Sequence, residues 1–228
     1  MNADEIRERI DSAMARAGRK DKVFFAAVSK TRTVDEMREA EKISWVDFFG
    51  ENRVQEAESK RKVYGASRVP WRLIGHLQAN KARKAAEIFD TIDSIDSQDL
   101  AQRLNRIANE LGKIIPVLIE VNTSGEESKS GIDPANFPAL LDAVMSQENL
   151  RLEGLMTVGP ITESEREIRS AFATLRTLSE NARIKTGLDL PTLSMGMSDD
   201  FELAILEGST LIRIGTLLFG PRDYTSNP

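Results

Sequence analysis

The sequence predicts an α/β protein: a single (β/α)8 TIM barrel with an extra helix in front of it. Three observations predict this. Short apolar segments alternate with amphipathic helical patterns from one end of the chain to the other, as βα units of a parallel sheet do. The strand-like segments number about eight, each followed by a helical pattern, which is the count of a closed barrel. No linker, low-complexity tract or repeat interrupts the alternation, so residues 1–228 read as one domain, with residues 1–18 as the leading helix. A doubly wound open sheet is the structural rival, and the strand count favours the barrel.

The elements follow in order. Ile6, Ile10, Met14 and Ala17 form one stripe of a helix over 3–17 that Gly18 ends. Val23–Val28 reads as a buried strand. Thr33 and Glu36 form a capping box for the next helix, and Trp45–Phe49 reads as the second strand. A helix over 53–63, a strand over 71–74, a short helix over 81–88 and a strand over 91–95 come next. Ser97 caps a helix carrying Leu100, Leu104, Ile107 and Leu111. Ile115–Val121 is the clearest strand. Asn136 caps a helix whose first turn tolerates Pro138. Leu152–Met156 is the sixth strand, and Thr162 with Glu165 opens a helix through Ile168, Phe172 and Leu175. Thr192–Met195 is the seventh strand. Ser198, Asp199 and Asp200 suit a helix start and Gly208 its end. Leu211–Ile214 is the eighth strand.

Composition removes several functions. The chain has 228 residues, 31 Lys+Arg against 36 Asp+Glu, one His and no Cys. That length buries a full core without staples. Without Cys there is no disulfide, Fe–S cluster, thiolate zinc site or cysteine nucleophile. One His excludes a multi-histidine metal site, and a Ser-His-Asp hydrolase would have to use His76. The apolar run Ile114–Ile119 contains Pro116 and is far too short for a bilayer. Met1–Arg9 is charged and lacks the apolar core of a signal peptide. The expectation is a soluble cytoplasmic protein, with neither membrane nor metal. A pI near 5.2 speaks against nucleic acid as the main partner.

In a barrel the chemistry sits at the C-terminal ends of the strands. Lys30 directly follows the first strand. It reads either as an amine of lowered pKa ready for a Schiff base or as a solvated lysine opening a loop. Gly215 and Thr216 follow the eighth strand, where barrels often bind phosphate, and Ser194 near the end of the seventh could add a hydroxyl; a ligand-free tight turn is the alternative. Arg213, inside an apolar strand, needs an acceptor: a cofactor ring nitrogen, a phosphate or a structural carboxylate. Asn52 and His76 stand at the ends of strands two and three, and His76 reads equally as catalytic or as packed. Residues 60–84 hold eight Lys/Arg and no Asp/Glu. That run could face an anionic partner, but the more economical reading is a solvated face balanced by acidic neighbours in space.

Several strings together resemble one family. They are Ala27–Thr31, Phe49–Glu56, Ile74–Lys81, Val121–Lys129, Gly154–Thr157, Leu193–Glu202, Gly208–Thr210 and Ile212–Gly215. In this order they are similar to the pyridoxal phosphate homeostasis proteins, whose fold is like the barrel domain of bacterial alanine racemase. The resemblance implies pyridoxal 5′-phosphate (PLP) held covalently at Lys30. It implies a cofactor site drawn from Lys30, Asn52, His76, Met156, Ser194, Arg213, Gly215 and Thr216, with Arg213 toward the pyridine nitrogen. It implies a role in holding and delivering PLP, with little turnover and with apo PLP-dependent enzymes as candidate recipients. A monomer or weak homodimer is expected, and Lys81 and Lys129 are the candidates for a second PLP in transit.

Physical chemistry fits that role. A PLP racemase needs a base on each face of its substrate carbanion. Lys30 supplies one, and the only tyrosines are Tyr64 and Tyr224. Arginine keeps its proton, so Arg213 would leave the ring a poor electron sink. The rivals are a true PLP-dependent amino-acid racemase, a Schiff-base aldolase without PLP, and a nucleic-acid module using the basic run, which would show steep salt dependence.

Overall fold

A computed structural model describes residues 3–221; Tyr224 lies outside the described residues. Eight parallel strands close into a barrel in sequence order, so the sequence-predicted (β/α)8 architecture is the one observed. Helix α1 (Ala3–Arg16) precedes β1 (Phe24–Val28). There follow α2 (Val34–Glu41), β2 (Phe48–Glu51), α3 (Val54–Tyr64) and β3 (Trp71–Leu73). A 3-10 turn at Ala79–Lys81 leads into α4 (Ala82–Ile88), β4 (Thr91–Ile95) and α5 (Gln98–Glu110). Next are β5 (Ile115–Glu120), α6 (Phe137–Met145), β6 (Leu150–Met156) and α7 (Glu165–Thr186). The chain ends its ring with β7 (Thr192–Ser194), α8 (Phe201–Leu206), β8 (Leu211–Ile214) and the short α9 (Thr216–Phe219).

Period-two alternation divides the strand residues between two environments. Phe25, Ala27, Phe49, Trp71, Leu73, Ile92, Ile119, Ile212 and Ile214 join helix residues such as Met37, Ala57, Leu104, Phe172 and Phe201 in one apolar cluster. Tyr64 belongs to this layer. Its ring packs edge-on against Phe49 and Trp71, and its hydroxyl donates to Glu41 Oε2 at 2.9 Å. The alternate residues face the barrel interior, and many are polar. Arg72 Nε donates to Asp93 Oδ2 at 2.8 Å, with both side chains buried. Burial pushes the Asp93 carboxyl up, against the pull of Arg72.

Three local expectations need correction. The second strand is Phe48–Glu51 rather than Trp45–Phe49. Gly50 pairs with β1 and β3 and Glu51 with β3, and Glu51 can lie in a buried strand because Lys60 of α3 meets its charge at 2.7 Å. Helix α7 starts at Glu165 with Ser164 as its cap, the Oγ accepting from Glu167 N; Thr162 Oγ1 instead accepts from Ser164 N. Asn136 occupies the cap position of α6 but its side chain makes no capping bond. The box at Thr33 and Glu36 forms reciprocally, as predicted.

Six of the eight basic residues of the 60–84 run are balanced in space by carboxylates. Lys60, Arg61, Lys62, Arg72, Arg83 and Lys84 each lie in an ion pair. Among the described residues no helix is long and apolar enough to cross a membrane.

Candidate functional site

A cavity of about 440 Å³ opens at the C-terminal mouth of the barrel. Its lining comes from six strand ends: Val28 and Lys30, Asn52, Ile74, Val158, Met197 to Asp199, and Arg213, Gly215 and Thr216. A second, more apolar cavity of about 690 Å³ lies at the opposite end, against Phe24, Phe48, Pro116 and Leu211. Of the polar residues singled out in the sequence, Lys30, Asn52, Arg213 and Thr216 line the first.

Lys30 is half-buried and occupies the second position of a tight turn, closed by Arg32 N donating to Ser29 O at 3.0 Å. The third position, Thr31, has φ +63°. For a β-branched residue this left-handed conformation costs about 1–2 kcal/mol.

Arg213 is buried within the barrel and its guanidinium is fixed on two sides. Nη1 donates to Ser194 Oγ at 2.7 Å and Nη2 to Thr157 O at 2.8 Å. Burial lowers its pKa, and Asp93, Asp200 and Glu120 oppose that shift. Glu120 is pushed up to about 7, first by burial and then by Asp96, with Arg213 pulling the other way. Its Oε2 is buried without a hydrogen-bond partner. Asp200 is also raised by burial, and its Oδ1 accepts from Met197 N at 2.5 Å, bracing the loop after β7.

Asn52 Oδ1 is buried and makes no hydrogen bond. Its backbone is approached closely by Gly75, where an added Cβ would sit 2.4 Å from Asn52 O. Gly215 differs: its φ is −114° and an added Cβ would meet Val28 at 3.4 Å, ordinary contact.

Thus Lys30, Asn52, Arg213, Gly215 and Thr216 share one cavity. The other three candidates stand apart from its lining. His76 lines an adjoining cavity of about 390 Å³ that shares Asn52 and includes Lys81, and its Nδ1 lies 3.0 Å from Asp96 Oδ2. Ser194 is fully buried beneath Arg213, and Met156 is fully buried in β6. Lys129 Nζ donates to Glu126 Oε1 and Gly159 O, tying two loops together. Val158, Ser198 and Asp199 line the cavity without having been assigned to it from sequence. Their position just beyond β6 and β7 was the available signal, and Ser198 with Asp199 also fitted a helix start.

The fold and this mouth define the class first. The family described as "Alanine racemase, N-terminal domain" matches residues 1–223. A solved alanine racemase from Clostridium difficile superposes with TM-score 0.73 at 18% identity, over 96% of this chain and 56% of that one, which establishes shared fold. Closer in sequence is a Pseudomonas aeruginosa protein named pyridoxal phosphate homeostasis protein, 44% identical over 98% of this chain and 95% of that protein. PipY of Synechococcus elongatus, solved with PLP bound, superposes with TM-score 0.82 at 40% identity, over 93% of this chain and 99% of that one. The chain belongs to the pyridoxal phosphate homeostasis protein family.

Proposed function

We propose that this protein holds PLP in the mouth cavity, attached covalently through Lys30, and releases it to acceptors with little chemistry of its own. The observation that carries the reading is the grouping of Lys30, Arg213, Gly215 and Thr216 around one cavity. The buried, unpartnered Asn52 Oδ1 on the same wall fits a polar ligand.

When bound, PLP supplies an electrophilic aldehyde and an electron-withdrawing ring. Lys30 supplies the amine. Arg213, immobilised by Ser194 and Thr157, offers the ring nitrogen a hydrogen bond and keeps its own proton. Gly215 and Thr216 stand where barrels receive phosphate, and Ser194 serves by holding Arg213. Tyr64 cannot act as an opposing base, because its ring is packed in the sheet–helix layer and its hydroxyl is engaged by Glu41. Among the described residues this leaves no tyrosine placed as an opposing base, which supports a carrier over a racemase.

The test pairs two assays: solvent-deuterium exchange at the α-carbon of a panel of amino acids, and PLP transfer to an apo-enzyme. Transfer with negligible exchange is expected. Lys30-dependent exchange at enzyme-like rates, ~1 s⁻¹ or above, would establish a catalyst and overturn the carrier reading.

A further inference from the structure

The Lys30 turn is held from outside the cavity by a compact ionic cluster. Lys60 reaches inward from α3 and uses all three ammonium donors. They go to Ser29 O at 2.6 Å, Glu51 Oε1 at 2.7 Å and Glu56 Oε1 at 2.7 Å. Ser29 Oγ donates to the same Glu51 oxygen at 2.8 Å. On the other side of Lys30, Thr31 N donates to Glu56 Oε1 at 2.5 Å. The residues before and after Lys30 are therefore both bonded to one cluster. Glu51 and Lys60 are buried, where an ion pair is strongly dependent on geometry.

Thr31 shows what the cluster does. The third position of such a turn ordinarily takes glycine when φ is positive, yet here a β-branched residue adopts φ +63°. A strained conformation persists where its surroundings over-determine it, and the Glu56 carboxylate on Thr31 N is that constraint.

We infer that Glu56 and Lys60 are positioning residues: they clamp the turn from Ser29 to Arg32 and so fix where the Lys30 amine stands in the cavity. The inference rests on the proposed role of Lys30. It assigns Glu56 a task defined by reach, that of an acceptor on Thr31 N, rather than by charge.

Variants at Glu56 separate the two. Gln at this position keeps an acceptor oxygen at the same reach without the charge; Asp keeps the charge but falls short. Two readouts apply: amide exchange at Thr31 in the protein without PLP, and the rate of PLP release from the loaded protein. Glu56→Gln should match the unaltered protein in both. Glu56→Asp and Glu56→Ala should expose Thr31 N to exchange and speed PLP release about 2–10-fold, the factor one hydrogen bond provides. Adding Thr31→Gly should reverse the faster release, because glycine takes positive φ without a clamp. Behaviour of Glu56→Asp like the unaltered protein, with Glu56→Gln impaired, would overturn the clamp, as would equal exchange and release in all variants. Failure of borohydride to trap PLP on Lys30 in the unaltered protein would instead overturn the functional reading, and Thr31 exchange is measured independently of it.

Discussion

Arg213 Nη1 donates to Ser194 Oγ across 2.7 Å, joining β8 to β7 inside the barrel. With Nη2 on Thr157 O at the end of β6, the guanidinium is oriented by the protein itself. Asp93, Asp200 and Glu120 surround it electrostatically. Arg213→Met should therefore destabilise the protein by roughly 3 kcal/mol, since it removes a buried cation that offsets the nearby carboxyl groups and takes the donors from Ser194 and Thr157. Arg213→Lys should cost less. Urea unfolding without PLP measures both, and a loss below about 1 kcal/mol for Arg213→Met would contradict this placement.

Replacing Lys30 by Ala should leave stability within about 1 kcal/mol, because the side chain is half-buried at the rim rather than packed in the core. PLP affinity should fall without collapse of the cavity, as the other lining residues persist. Equilibrium dialysis with thermal unfolding checks this; unchanged PLP affinity would count against Lys30 as the anchor.

How far the sequence could be read depended on where polar residues went. The strands β4 and β8 were legible to the residue, β8 from its apolar run and β4 from Ile92 and Ile95 set among polar neighbours. The second strand was misplaced because Gly50 and Glu51 do not resemble a strand until Lys60, nine residues on, is seen to bury Glu51's charge. The start of α7 was ambiguous because Thr162/Glu165 and Ser164/Glu167 overlap as capping patterns, and only the backbone chooses between them. Lys30, Arg213 and Gly215 were legible as strand-end residues. The polar barrel interior around Arg72, Asp93 and Glu120 was not, because a lone charge in a short strand gives no sign of its partner on another strand, as Arg72 on β3 finds Asp93 on β4.

Glu120 predicts a pH dependence of stability. Burial raises its carboxyl from the ordinary value of 4.5 to about 7 in the folded protein. The native state thus binds more protons than the unfolded chain between these values, and stability falls as pH rises through that window. Glu120→Gln, uncharged throughout, should be near neutral at pH ~5 and stabilising by roughly 1–3 kcal/mol at pH ~8. Urea titrations at the two values test the sign; equal effects at both would refute it.

At Gly215 the backbone needs no positive φ, and a Cβ would only touch Val28 at 3.4 Å. Gly215→Ala should therefore fold normally. Gly215→Val carries two further methyl groups into the space beside Thr216 and should weaken PLP retention by about tenfold or more, as a lost close approach does. Isothermal titration distinguishes them, and equal affinity in both variants would remove Gly215 from the phosphate assignment.

The central claim is that Lys30, at the mouth of the barrel, carries the cofactor. Borohydride reduction of the PLP-loaded protein, followed by proteolysis and mass mapping, addresses it directly. The account predicts a phosphopyridoxyl group on the peptide containing Lys30, in near-stoichiometric yield, and none in Lys30→Ala. A label at Lys81, Lys129 or another lysine in place of Lys30, or no label at all, would contradict it.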